Sequence, residues 1–307
     1  MLNTNEARIE TSTVCNYSCV FCPHSTSHFT RKKEVMSLYT FIKILKKLQK
    51  EAPQITDITI SGFGEAFLDE TIIDKIKYAR RCGYNVHILT NGSLLTYSII
   101  DELIKLKVND LRISLHSLNN KNYKKITRHK QDNFILNDLL GNIRYIYRYN
   151  SDMKLILTFD IISNINGNEL YQIKKELNHV GLIEVWKPHN WVNVFKYRKG
   201  KIVKNTCNRP LNSPLQIQVD GTINMCCFDF DGQLLLGDFL NQSLAEIFNG
   251  ESYLDLKQHH INGTLHQTDY ICKRCDQRMN QNDVIIYNNE FNSSDRIVRT
   301  STNYRKV

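Results

Sequence analysis

Residues 37–61 read SLYTFIKILKKLQKEAPQITDITIS, and a change of period inside that stretch decides the fold. Leu38, Phe41, Ile42, Leu45 and Leu48 recur at helical spacing and form one apolar face over 37–50. Residues 56–61 then read as a β-strand. Working outward, β-rich stretches at 7–14, 84–90, 109–115, 154–162 and 182–187 are separated by segments with helical apolar spacing. This β-α alternation predicts a parallel sheet with crossover helices, open or curved into part of a barrel. Catalytic groups are then expected at the strands' C-terminal ends.

At 307 residues the chain suits one large domain plus a small appendage. Hydrophobic residues at 41% and charged residues at 23% are globular rather than disordered composition, and there is no internal repeat or low-complexity tract. The start, MLNTNEARIE, lacks the pattern of a secretory signal or transit peptide, and no apolar run is long enough to span a bilayer. A cytoplasmic protein without a membrane partner is expected. In a reducing compartment nine cysteines fit metal binding or chemistry better than disulfides, and the odd count argues against complete pairing. The net charge of +9 is spread along the chain, with short clusters at Arg31-Lys32-Lys33 and Lys46-Lys47, which fits a solvated surface better than a nucleic-acid footprint.

After about residue 200 the pattern changes. LQIQV, a turn at Asp220-Gly221 and TINMC read as a β-hairpin, because Asp-Gly suits a tight turn with positive φ. Ser243 is placed to cap a short helix through Ala245, Ile247 and Phe248, and a further helix is expected over 251–260. From about Asn288 the chain is polar and basic, as a loosely held tail would be.

Cys15, Cys19 and Cys22 stand in CNYSCVFC directly after the first predicted strand, three thiols on one compact loop. Three nearby thiolates suit a soft metal centre such as an iron-sulfur cluster. A zinc site needs a fourth ligand, which His24 could supply. The CxxxCxxC spacing, with the aromatic Phe21 before its last cysteine, resembles the signature loop of the radical S-adenosylmethionine superfamily. The resemblance covers about residues 7–190 and implies a partial (β/α)6 TIM-type barrel, an α/β fold. It also implies a 4Fe-4S cluster on Cys15, Cys19 and Cys22, with one iron left open to chelate S-adenosylmethionine. Reductive cleavage of that cofactor would yield a 5′-deoxyadenosyl radical, which removes a hydrogen atom from the substrate. The protein's task is then to aim the radical at one C–H bond and to exclude competing reactants.

Further cofactor contacts follow from the same resemblance. Ser61-Gly62-Phe63-Gly64-Glu65-Ala66, after the second strand, resembles the segment that receives the methionine ammonium, with Phe63, Gly64 and Glu65 as the contacts. Asn91 in Thr90-Asn91-Gly92 and Ser114, at the ends of strands three and four, resemble sites lining the adenosyl pocket. Arg128 is the candidate carboxylate partner. The local alternative for Asn91 and Ser114 is turn chemistry and capping.

Cys207, Cys226, Cys272 and Cys275 bring a second set of four thiols from separated segments, enough to saturate a cluster or a zinc ion. CNRPLNSPLQIQVDGTINMCCFDFDGQLLLGDF over 207–239, followed by CKRC, resembles the auxiliary-cluster domains called SPASM and twitch. With no cysteine after Cys275, one auxiliary 4Fe-4S cluster is expected. The implied organisation is a radical domain over 1–200, a small α+β auxiliary iron-sulfur domain over 201–287 and a polar tail over 288–307. Cys82 belongs to neither set and reads as a neutral packed thiol.

The four-cysteine layout is similar to that of 2-deoxy-scyllo-inosamine dehydrogenases, radical enzymes that oxidise a cyclitol hydroxyl. It implies an oxidoreductase acting on a cyclitol or sugar-like molecule, the auxiliary cluster taking the second electron. The alternative is a peptide-modifying enzyme, an epimerase or another maturase of ribosomal peptides, with Cys227 as a catalytic hydrogen-atom donor. Cys227 is otherwise a small packed residue, or the ligand in place of Cys226. A third alternative is a non-catalytic iron-sulfur or zinc scaffold. Trp186, Lys187, His189, Asn190 and Trp191 follow the sixth strand, where Lys187 would hold an anionic group and Trp191 a ring; loop packing accounts for them as well. The remaining expected partners are a small-molecule or peptide substrate and an acidic flavodoxin- or ferredoxin-type electron donor, matched to the basic surface.

Overall fold

A computed structural model describes residues 4–130, 136–150, 152–160, 167–177, 179–279, 284–287 and 304–306. Strands β1 (Glu6–Ile9), β2 (Asp57–Ile60), β3 (Asn85–Thr90), β4 (Asp110–Ser114), β5 (Lys154–Asp160) and β6 (Leu182–Trp186) lie side by side in chain order, all parallel. Helices α1 (Leu38–Glu51), α2 (Ile72–Arg81), α3 (Tyr97–Lys105), α4 (Asn120–Thr127), α5 (Leu136–Tyr149) and α6 (Gly167–Leu177) fill the crossovers. This is the mixed α/β, partial-barrel architecture that the alternation of periods predicts.

The strands' two faces differ in chemistry because successive side chains point to opposite sides. Ala7, Ile9, Ile58, Val86, Ile88, Leu111, Ile113, Leu157, Phe159, Ile183 and Val185 are buried in one apolar core with the helices' inner faces. The alternate positions Arg8, Thr59, Asp110, Arg112, Thr158, Asp160 and Trp186 line a cavity. On α1, Phe41, Ile44, Leu45 and Leu48 are buried and Ser37 caps the start by accepting from Thr40 N. Ile42 is only half-buried, so Ile44 takes the inner place that the apolar spacing assigns to it.

Beyond β6, helix α7 (Arg209–Asn212) precedes β7 (Leu215–Ile217), β8 (Thr222–Asn224) and β9 (Leu235–Asp238). The predicted hairpin forms: β7 and β8 pair antiparallel around Gly221, at φ 88°. A side chain there would be strained, and its Cβ would lie 2.5 Å from Leu240 Cγ. β7 also pairs parallel with β1, Ala7 opposite Leu215 and Ile9 opposite Ile217, so these strands extend the barrel's own sheet. Ser243 and Glu246 form a capping box on α8 (Leu244–Phe248), followed by α9 (Glu251–Asn262). β10 (Val284–Tyr287) lies antiparallel on β6 and β11 (Tyr304–Lys306) beside β10. The rest of the expected tail lies outside the described residues. No helix among the described residues is long and apolar enough to cross a membrane.

Candidate active site and cysteine centres

β1 stops at Ile9, earlier than the expected residue 14, because the chain turns into the cysteine loop. That loop is pinned on three sides. Gly64 N donates to Ser12 O at 3.1 Å and Glu65 N to Val14 O at 2.8 Å. Ser18 N and Val20 N donate to Thr127 O and Ile126 O at the end of α4. Tyr17 and Tyr123 hydroxyls meet at 3.1 Å in the interior. A Cβ on Gly64 would sit 2.3 Å from Ser12 O, so only glycine lets the two segments approach.

Cys15, Cys19 and Cys22 all face one cavity of about 450 Å³. Burial pushes the Cys15 thiol up to about 11 and Cys22 up to about 12, and raises Cys19 with added repulsion from Cys22 and Cys15. Three mutually repelling sulfurs on one wall, with no carboxylate or imidazole among them, suit a thiophilic cationic cluster held by three ligands. His24 is not a fourth: its Nε2 lies 2.8 Å from Thr13 O, where it braces the loop. Among the described residues no three His, Cys, Asp or Glu side chains converge closely enough to hold a single metal ion.

Around the same cavity stand Phe21, Phe63, Gly64, Glu65, Asn91 and Ser114, brought together from four strand ends. Glu65 is buried and its carboxylate accepts from Thr90 Oγ1 (2.6 Å), Asn91 N (2.7 Å) and Phe67 N (3.2 Å). It therefore fixes the end of β3 and caps the turn beginning at Ala66. Asn91 Nδ2 donates to Asn16 Oδ1 at 2.8 Å, tying β3 to the cysteine loop. Arg128 is not among the cavity's lining residues; it is exposed at the C-terminal end of α4, at φ 48°.

The second cysteine set converges as well. Cys207, Cys226, Cys272 and Cys275 wall a small chamber of about 20 Å³, together with Arg209, Asp229, His260 and Arg278. Burial and the neighbouring Cys207 raise the Cys272 thiol to about 12, and Cys275 is raised by burial, then Asp276 and Cys207. Four thiols from three segments facing one chamber fit a fully ligated cluster. Cys227 does not line this chamber but faces the large cavity, which Cys226 also touches. Its thiol is held below the usual range by a hydrogen bond from Cys226, then by Arg209 and Arg8.

Several lining residues carry chemistry that motif reading missed. Arg31 pairs with Glu10, whose Oε1 also accepts from Phe63 N at 2.9 Å. Arg112 pairs with Glu184, and Asp110 pairs with His87, which lies behind the lining and also meets Asp57. Burial pushes Asp160 up to about 7, and its Oδ2 lies 3.4 Å from His116 Nδ1. Burial holds His116 down at about 3, a neutral ring edge-on to Phe21 at 4.9 Å. The available signal was the alternation within each strand, as in EARIE and DLRIS, which marks every second residue as facing inward. Of the candidates after β6, Trp186, His189 and Trp191 line the cavity. Lys187 does not, and Asn190 is buried holding Arg198 N and O.

A model of the Radical SAM superfamily matches residues 9–174, and one of the SPASM iron-sulfur cluster-binding domain matches residues 207–276. An uncharacterized protein of Methanocaldococcus jannaschii is 31% identical over 173 residues, 56% of this chain and 52% of that protein. A probable GTP 3′,8-cyclase of Thermococcus kodakarensis is 27% identical over 198 residues, 62% of this chain and 60% of that protein. The matches thus span about half to three fifths of these curated relatives. Among solved structures, BtrN in complex with AdoMet and 2-DOIA covers 90% of this chain and 94% of its own (TM-score 0.61, 15% identity). Streptococcus suis SuiB bound to precursor peptide SuiA covers 90% and 76% (TM-score 0.67, 12% identity). At these identities both likenesses show the fold.

Proposed function

Since this chain belongs to the Radical SAM superfamily, we propose that it is a radical oxidoreductase that oxidises a hydroxyl-bearing carbon of a cyclitol or sugar-like substrate. In this reading residues 1–200 form the radical domain, 201–287 the auxiliary-cluster domain and 288–307 the tail. The observation that carries it is one cavity with the Cys15, Cys19 and Cys22 trio on its wall and Cys226 of the four-thiol chamber also lining it. When bound, S-adenosylmethionine with its three-cysteine 4Fe-4S cluster supplies a hydrogen-atom acceptor, and the four-cysteine cluster supplies a one-electron acceptor.

Oxidation of a secondary alcohol to a ketone releases one hydrogen atom, one proton and one electron. The chain's residues deal with position and with the proton. Phe21, Phe63, Gly64, Glu65, Asn91 and Ser114 shape the cofactor's seat, Glu65 acting through the backbone it fixes. Asp110, Arg112, Thr158 and Gln216 give the cavity a hydrogen-bonding wall that suits a polyhydroxylated ring, and Trp186 and Trp191 give it flat apolar faces. Asp160, with a carboxyl at about 7, is suited to take the hydroxyl proton at neutral pH. An acidic flavodoxin or ferredoxin, docking on the basic surface, delivers the initiating electron.

A second reading, peptide modification with Cys227 returning a hydrogen atom, is favoured by the position of Cys227 on the large cavity. Anaerobic turnover in deuterated water separates the two. Dehydrogenation gives a product two mass units lighter and leaves Cys227→Ala active; epimerisation gives deuterium uptake and an inactive Cys227→Ala. In the first reading, activity falls as pH drops below about 7 and Asp160→Asn abolishes that limb. A limb unchanged in Asp160→Asn removes Asp160 from the mechanism.

A further inference from the structure

Arg209 lines both the large cavity and the small four-cysteine chamber. It follows Asn208, held in the left-handed region at φ 63°, and opens α7 directly after Cys207 and Asn208. Its Nη1 donates to Cys227 Sγ at 3.7 Å, and its Cζ stands 4.7 Å over the Phe228 ring. Among the described residues no carboxylate lies within ion-pair distance of it, whereas Arg31 pairs with Glu10, Arg112 with Glu184 and Arg8 with Glu6. Every other cavity arginine is matched by a carboxylate, while Arg209 faces only sulfur: the Cys227 thiol in the large cavity and Cys226, Cys207 and Cys275 around the small chamber.

The other charged groups on the small chamber do not duplicate it. Arg278 is engaged with backbone carbonyls, Nε on Lys204 O (2.9 Å) and Nη1 on Cys272 O (3.2 Å). Asp229 accepts from Gln233 N and Leu234 N and sets the chain that follows Cys226. A buried cation facing thiolate-ligated iron stabilises the more negative, reduced state. The Phe228 ring and the Cys227 sulfur hold the guanidinium in place, with no carboxylate to turn it away from the four-cysteine chamber.

We infer that Arg209 is a positioning residue whose fixed charge makes the four-cysteine cluster easier to reduce, so that it draws the electron left on the substrate side. The inference rests on the reading that Cys207, Cys226, Cys272 and Cys275 ligate that cluster. One electron arrives, no bond to Arg209 forms or breaks, and the reductant is the substrate radical in turnover or dithionite in the test.

The test is a dithionite titration of the reconstituted full-length protein, followed by electron paramagnetic resonance, for wild type, Arg209→Gln and Arg209→Lys. Arg209→Gln is expected to make the four-cysteine cluster roughly tenfold harder to reduce, a fall of about 59 mV for one electron. Arg209→Lys keeps the wild-type midpoint, and the three-cysteine cluster is unmoved in both variants. If Arg209→Gln fails to hold iron, the lysine variant decides alone, since a purely geometric role for the guanidinium fork would shift it. An unchanged midpoint in Arg209→Gln, or a lysine midpoint as low as the glutamine one, overturns the inference. Should wild type bind about four irons per chain instead of about eight, the four-cysteine reading itself fails and takes the inference with it. That outcome is distinct from full iron with an unmoved midpoint.

Discussion

A single methyl group at Gly64 would press on the Ser12 carbonyl carbon at 2.6 Å and on Val14 O at 2.6 Å. Backbone cannot swing aside as a side chain can, so Gly64→Ala is expected to cost about 1–3 kcal/mol and to loosen the cysteine loop. Iron bound per chain after reconstitution and the yield of 5′-deoxyadenosine measure it; full values in both would show that the approach is not needed. His260 offers a pH test away from the cavity. Burial, then Arg278 and His259, lower it from 6.5 to about 4, so the folded chain keeps it neutral while the unfolded chain protonates it. Its contribution is fully present above pH 6.5 and is lost as pH falls toward 4. His260→Asn should therefore flatten the decline in urea midpoint across that window. The first cysteine set could be read from its short spacing, whereas Cys207, Cys226 and the Cys272–Cys275 pair lie far apart in sequence and were legible only through their resemblance to an auxiliary-cluster pattern. Arg209 was not legible, since its direction depends on the left-handed backbone of Asn208, and no local motif reveals that Arg128 stands exposed outside the cavity lining.

At the level of elements, end chemistry was the clearest text. Ser37 and Ser243 cap α1 and α8, the latter in a reciprocal box with Glu246. Ser243→Ala should lower stability by about 1 kcal/mol, seen as a lower denaturant midpoint with an unchanged slope. An unchanged midpoint would mean that α8 is held by Leu244 and Ile247 packing alone. Strand centres were legible and strand ends were not. β1 closes at Ile9 because Glu10 N turns to Ile217 O, and Ser12 O and Val14 O serve the Gly64-Glu65 segment, partners more than forty residues away. Such long-range pairing leaves no mark on nearby sequence.

Across the whole molecule, the sheet continues from β6 through β1 to β9 without a gap. Ending the chain at residue 200 would remove β7 and leave β1 as an open edge. Such edges recruit other chains, so that fragment is expected to aggregate, with β1 amides exchanging freely in deuterated water; a monodisperse fragment with protected β1 amides would refute this. The sequence announced the hairpin through Asp220-Gly221 but not its attachment to β1, because three-residue strands carry too little pattern to name a partner.

That attachment has a consequence for timing. β1 runs into the loop bearing Cys15, and β7 turns back through β8 into Cys226, so the two metal-binding regions hang from neighbouring rungs of one ladder. Electron tunnelling falls steeply with separation, and the offset between the ends of β1 and β7 is fixed by strand register, which changes only in whole-residue steps.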